Sequence, residues 1–215
     1  MPVRFREIAG SSLERLTALS DGIFAVAMTL LVLGLTVQTV GPAHPQGTSV
    51  NSEVWEHVLR PLWPHLLTYL MSFLTLGVFW VGQQTQLHHI RGTNRDLSWI
   101  HLVFLLCVSL MPFSTMLVAD YITAQLAIVV YWLNILLLGA VLFAGQAYAG
   151  RAKLFKDDVT TEVRAAIRRR ILIYQALYAV GILLSFASTY ASIGFIVLVQ
   201  LNAAITPRIW PLDRF

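Results

Sequence analysis

Charge is scarce in this chain. Asp, Glu, Lys and Arg make up only 12% of its 215 residues, against 57% hydrophobic residues. Water-soluble domains carry about 25% charged residues, and no soluble fold of this length hides so much apolar surface. The formal net charge of +4 therefore points to membrane topology and not to nucleic acid. Cysteine is scarcer still. The single one, Cys107, lies in an apolar run, so an intrachain disulfide is excluded. Catalytic signatures are missing too, with no GxSxG, HExxH or P-loop. His88 and His89 are adjacent, share no helix face and have no Cys or carboxylate at a telling spacing, so no metal is expected there. The first apolar stretch follows Ser20-Asp21, lacks a clear small-residue cleavage site and is succeeded by further apolar stretches. It reads as a span and not as a signal peptide. No internal duplication stands out.

What the chain has is apolar length. A membrane helix needs about 20 apolar residues, and six segments qualify: 18–37, 65–82, 98–119, 122–147, 170–187 and 192–205. The expected class is an all-α integral membrane protein, one domain over 1–215 with six transmembrane helices. Between the first two spans runs "GPAHPQGTSVNSEVWEHVLRPLWP", a loop with an interfacial helix expected at 54–59 and Trp55 and Trp63 as anchors. Of the 15 Lys and Arg, all but Arg60 fall in the N-terminal segment, alternate loops and the C-terminal tail. The positive-inside rule then puts both termini in the cytosol. The dense basic stretch before the fifth span reads first as a topology signal and second as an anionic-lipid contact.

The first span carries a stripe and a puzzle. At 100° per residue, Gly22, Val26, Leu30, Leu33 and Val37 fall within about 80° of one another, with Thr29 at the border. Asp21 lies on another side of the helix, where the span begins, and a carboxylate there is costly unless it has partners. Arg15, six residues earlier, is rotated too far to pair with it within the helix. Two readings fit: an interfacial Asp reaching cytosolic water, or a buried polar network with Trp80, Gln83, Gln84, Ser98 or His101, which lie at similar depth. Elsewhere, Pro112 in "SLMPFST" breaks a helical hydrogen bond, with Ser109, Ser114 or Thr115 expected to satisfy the freed carbonyl. Asn134, Gln175, Gln200 and Asn202 suit interhelical hydrogen bonds.

Three stretches, "RLTALSDGIFAVAMTLLVL", "YLMSFLTLGVFWVGQQ" and "NRDLSWIHLVFLLCVSLMPFSTMLV", resemble the bacterial members of the transmembrane protein 175 family, the lysosomal potassium channel family. The family's R-x-x-x-F-S-D signature stands here as Arg15, three residues, then Leu19-Ser20-Asp21. The sequence departs from the pattern at Leu19, at Gln83-Gln84 where a His pair is common, and at His101 where Asn is common. The resemblance covers residues 15–118. It implies a homotetrameric cation channel in which the first helices line the pore and no P-loop filter is present. Its apolar constriction maps to Val26, Leu30 and Leu33, with Thr29 as the pore-facing polar residue. The resemblance also implies a structural polar network of Arg15, Ser20, Asp21, Trp80 and His101. Val26 is smaller than the side chain common at that ring, which implies a leakier closed state. The function implied is a leak-type, potassium-permeable channel in a prokaryotic plasma membrane, with K⁺ as the permeant ion, lipid around it, no cofactor and no nucleic-acid partner. The alternatives are a proton-coupled transporter relaying protons through Asp21 and His101, and a membrane enzyme, for which the polar residues are too scattered.

Overall fold

The computed structural model describes residues 12–35 and 50–205. These residues are helical throughout, apart from short turns and one isolated antiparallel bridge. Helix α1 spans Leu13–Val32, capped by Ser12, whose hydroxyl accepts from Arg15 N–H. A short α2, Val50–Val54, runs through a π-helical turn, Trp55–Leu59, into the long α3, Arg60–His88. Then follow α4, Arg95–Ser109, and α5, Met111–Asp120, with the Asn94 side chain capping α4. Helices α6, Gln125–Arg151, α7, Thr161–Leu184, and α8, Thr189–Ala204, complete the bundle.

Several boundaries differ from those read off hydropathy. Helix α1 starts at Leu13, so Asp21 sits well inside a helix and not at its mouth. Residues 36 and 37, and with them Val37, lie outside the described residues. The stretch 54–59 is no separate interfacial helix but the continuous entry to α3. Helix α7 begins at Thr161, so Arg164, Arg168, Arg169 and Arg170 are helical and not in a loop. Hydropathy cannot see this, because an arginine-rich turn is a good helix former and a poor membrane segment. Four stretches, Leu13–Val32, Trp55–His88, Arg95–Asp120 and Gln125–Arg151, are long and apolar enough to cross a bilayer, and Thr189–Ala204 is apolar but shorter.

Helix α3 is central. It packs on α1, α5 and α8, while α4 and α7 flank α6. Its core face carries Phe79, which meets Phe104 of α4 at 6.4 Å between ring centroids, and Phe104 in turn meets Phe24 of α1 at 6.0 Å. Small residues let the helices approach. A Cβ on Gly139 of α6 would overlap the Gln175 amide of α7, which donates to Ile135 O at 3.2 Å.

The interior is held by uncharged polar groups. Thr75 Oγ1 accepts from Gln200 Nε2 of α8 at 2.5 Å and lies 2.9 Å from Tyr131 OH of α6. Ser72 Oγ donates to the same phenol at 3.2 Å and lies 2.7 Å from Thr115 Oγ1 of α5. At one end of the bundle the α6–α7 loop clasps the α3–α4 turn: Arg91 N–H donates to Leu154 O at 2.9 Å and Lys156 N–H to His89 O at 3.0 Å. At the other end His65 Nε2 meets Asp120 Oδ1 at 3.1 Å.

Pro112 separates α4 from α5, and the break is not repaired by the hydroxyls expected to repair it. Ser109 donates to Leu106 O, and Ser114 and Thr115 to Met111 O, none of which is the carbonyl that Pro112 leaves free, that of Val108. The adjoining gap, one residue earlier in the helical ladder, is bridged from α6. With its amide oriented so that both ends are satisfied, Asn134 donates to Cys107 O at 3.1 Å and accepts from Met111 N–H at 3.3 Å, with Ser114 Oγ 3.2 Å away. It splices the helical bond that the kink opens between residues 107 and 111. Asn134→Leu should therefore destabilise the fold by about 1–3 kcal/mol, the cost of stranding buried backbone groups. Thermal unfolding of the purified protein checks this, and an unchanged midpoint would show that the kink needs no splice.

Candidate pore-lining face

Helix α1 divides cleanly. Leu16, Ser20, Phe24, Ala27 and Leu31 face the bundle and are buried, spaced by three and four residues as one helix face requires. The opposite face is bare. Along it run Ala18, Gly22, Ala25, Val26, Thr29, Leu30 and Leu33, with Val26 57%, Leu30 43% and Leu33 66% exposed. Thr29 donates its hydroxyl hydrogen to Val26 O at 2.8 Å. Its oxygen is left to accept from outside, and the stripe offers no charge. Val26, Thr29, Leu30 and Leu33 thus share one outward surface on a helix that packs on α3, α4 and α5.

The rotation of α1 that puts this stripe outward is set by two adjacent residues. Ser20, fully buried, donates to Leu16 O at 2.9 Å and accepts from Gln83 Nε2 at 3.0 Å. Asp21 Oδ1 accepts from Trp80 Nε1 at 2.8 Å and from Gln84 Nε2 at 2.6 Å. The donors Trp80, Gln83 and Gln84 occupy one turn of α3, spaced as neighbours on a helix surface. Both bonds to Asp21 are charge-assisted and short, as such bonds are. Neighbouring residues on a helix point about 100° apart. Fixing both to one turn of a second helix therefore fixes the azimuth of α1 as well as its height.

Arg15 and His101 stand outside this cluster. Arg15 is exposed and its backbone N–H serves the Ser12 cap. His101 is buried, but its Nδ1 meets Leu97 O of its own helix at 3.0 Å. Across from it, a Cβ on Gly145 of α6 would lie 3.8 Å from His101 Cε1 and 3.6 Å from Gln86 Nε2. His101 is therefore packed between α4 and α6, on the side of α3 that carries Gln86. The expectation that it joins Asp21 drew on similar depth and on the resemblance, and neither fixes its azimuth. Ser98 likewise turns to Thr93, at 3.3 Å between hydroxyls. Gln86, which sequence reading passed over, donates to Leu142 O at 3.2 Å. Its only signal was being one more amide on the same helix. Among the described residues, no group of three or more His, Cys, Asp and Glu is placed to hold a metal.

Helices of this length and apolarity, joined by buried hydroxyls and amides, with one edge helix keyed to its neighbour and bare on its outer side, define an all-α polytopic membrane protein. The endosomal/lysosomal potassium channel TMEM175 family model matches residues 15–112. A potassium channel of Chamaesiphon minutus is 33% identical over 190 residues, 86% of this chain and 89% of that protein. A potassium channel of a Chryseobacterium species is 29% identical over 87% of this chain and 90% of its own length. The human endosomal/lysosomal proton channel TMEM175 is 29% identical over 104 residues, 20% of its length. The crystal structure of a lysosomal potassium-selective channel TMEM175 homolog from Chamaesiphon minutus superposes with a TM-score of 0.73 at 28% identity, covering 90% of this chain and 96% of that one. This chain belongs to the TMEM175 family.

The keying of α1 is testable apart from conduction. Trp80→Phe keeps the ring and deletes the donor, and Asp21→Asn deletes the charge. Each should cost about 1 kcal/mol, a net hydrogen bond at an exposed site, and lower the unfolding midpoint without altering K⁺ over Na⁺ preference. A stable Asp21→Asn protein with changed preference would place Asp21 in the ion path and overturn the assignment of its face.

Proposed function

We propose that this chain is one subunit of a homotetrameric, leak-type, potassium-permeable channel whose pore is lined by α1. The observation that carries the proposal is the outward stripe of Val26, Thr29, Leu30 and Leu33 on a helix whose rotation is pinned by Ser20 and Asp21. One such helix cannot enclose a path for an ion, and cyclic closure of four copies is the economical way to bring the stripe onto an axis. The names of the bacterial relatives support potassium as the ion. Six helical stretches, α1, α3, α4 with α5, α6, α7 and α8, then cross the plasma membrane of a prokaryote, with both termini cytosolic. The arginines of α7 reach the headgroups, and the short α8 is accommodated by local thinning of the bilayer. Permeation makes and breaks no covalent bond, so this reading assigns no catalytic residue and no cofactor.

In this reading Val26, Leu30 and Leu33 form stacked apolar rings. Such rings offer a file of water no hydrogen bonds and gate by dewetting. Val26, smaller than leucine, seals less well. Thr29 supplies the one polar oxygen along the constriction. A proton relay from Asp21 to His101 is not favoured, because the carboxylate is engaged by Trp80 and Gln84 while His101 bonds within its own helix.

The test is Leu30. Leu30→Asn should wet the constriction and raise K⁺ flux from liposomes several-fold. Leu30→Phe should narrow it and lower the flux. Both proteins should elute at four times the 24.0 kDa of one chain. Equal flux from wild type and both variants removes Leu30 from the pore, and a monomeric protein removes the axial arrangement altogether.

A further inference from the structure

The start of α7 carries more positive charge than a helix start should. Arg164 and Arg168 lie one turn apart on the same face, near the end where the macrodipole disfavours cations. That face borders a recess, into which Arg164 is partly buried while Arg168 is exposed at its rim. With Arg151, from the end of α6, the two arginines border a recess of about 500 Å³ between α6 and α7, lined elsewhere by Phe143, Phe155 and Gln146 and containing no acidic side chain. Arg164 is held in place: its guanidinium lies 5.4 Å from the Phe155 ring centroid and its carbonyl accepts from Gln146 Nε2 at 2.9 Å. Its Nε is buried without a hydrogen-bond partner, as is Gln146 Oε1. Among the described residues no carboxylate comes within ion-pair distance of Arg151, Arg164 or Arg168, and the nearby Asp157 is turned to Arg91 at 3.9 Å.

Three guanidiniums around one recess and a helix start favour the same ligand chemistry. Each is stabilised by a compact anion with several acceptor oxygens. We propose that this recess binds the phosphate of an anionic phospholipid, with Arg151, Arg164 and Arg168 as its donors. The lining favours a lipid over a free anion. Phe143 and Ala147 continue down α6 from the arginines into apolar helix, a surface for the glycerol and first methylenes that a soluble phosphate does not need. The arrangement also differs from a diffuse basic surface. Lys153 and Lys156, in the α6–α7 loop, do not line the recess, whereas Arg151, Arg164 and Arg168 do.

This site rests on the membrane orientation proposed above but not on ion conduction, so its readout is lipid binding, which stands or falls independently of K⁺ flux. Purified protein is titrated with phosphatidylglycerol or phosphatidylcholine, and bound lipid is counted by native mass spectrometry. Wild type should retain phosphatidylglycerol saturably and preferentially. Removing each guanidinium should weaken binding about fivefold, in Arg151→Gln on α6 and in Arg164→Gln with Arg168→Gln on α7, so a folding defect in one helix leaves the other variant informative. Lys153→Gln with Lys156→Gln should bind as wild type. The proposal is overturned if the lysine variant loses as much lipid as the arginine variants, which is diffuse attraction. It is also overturned if the arginine variants bind normally. Inorganic phosphate that occupies the recess in phosphatidylcholine and displaces phosphatidylglycerol at equal concentration would replace the lipid by a soluble anion.

Discussion

The fold turns on a two-residue key. Ser20 and Asp21 bond to Gln83, and to Trp80 and Gln84, on a single turn of α3. In lipid, apolar packing alone orients a helix weakly, because the surrounding tails are as apolar as the side chains they replace. Helix α1 is otherwise a run of Leu, Val, Ile, Ala and Phe that packs acceptably in several rotations. The three donors remove that freedom. They bury Phe24, Ala27 and Leu31 and leave Val26, Leu30 and Leu33 outside. The carboxylate that looked costly at a membrane edge is thus placed where two donors already wait.

The rest of the interior follows the same economy. Ser72, Thr75, Thr115, Tyr131, Asn134 and Gln200 are neutral and buried. Neutral groups avoid the desolvation cost that a buried ion pair has to overcome, although Gln200 Oε1 is left without a partner. Asn134 shows why such groups cannot be exchanged freely. It closes a gap in the backbone of another helix, opened by a proline 22 positions away in the chain, between Cys107 and Met111. The central helix α3 collects most of these bonds. It therefore serves as the scaffold against which α1 is keyed on one side and α8 is hydrogen-bonded through Gln200 on another.

Much of this architecture is legible in one dimension. The scarcity of charge and the apolar runs specify a polytopic helical bundle, because the bilayer admits little else. The stripe of Val26, Leu30 and Leu33 is visible on a wheel, because helical geometry is local. Trp80, Gln83 and Gln84 were within reach as partners for Asp21, because depth follows from position along a span. His101 was misplaced by the same reasoning, since depth says nothing of which side of a neighbouring helix a residue occupies. The start of α7 was missed because hydropathy records the membrane and not the helix.

What the sequence determined by itself was therefore whatever depends on local periodicity and on transfer to lipid: helix content and the outward stripe of α1. Only the tertiary structure decided which turn of α3 holds Ser20 and Asp21, that Asn134 bridges the gap beside Pro112, and that Arg151 meets Arg164 and Arg168 around one recess. Each of these depends on the relative rotation of two helices far apart in the chain. That rotation is set by the sum of many small packing and hydrogen-bond terms, and none of them is written in the periodicity of either helix alone.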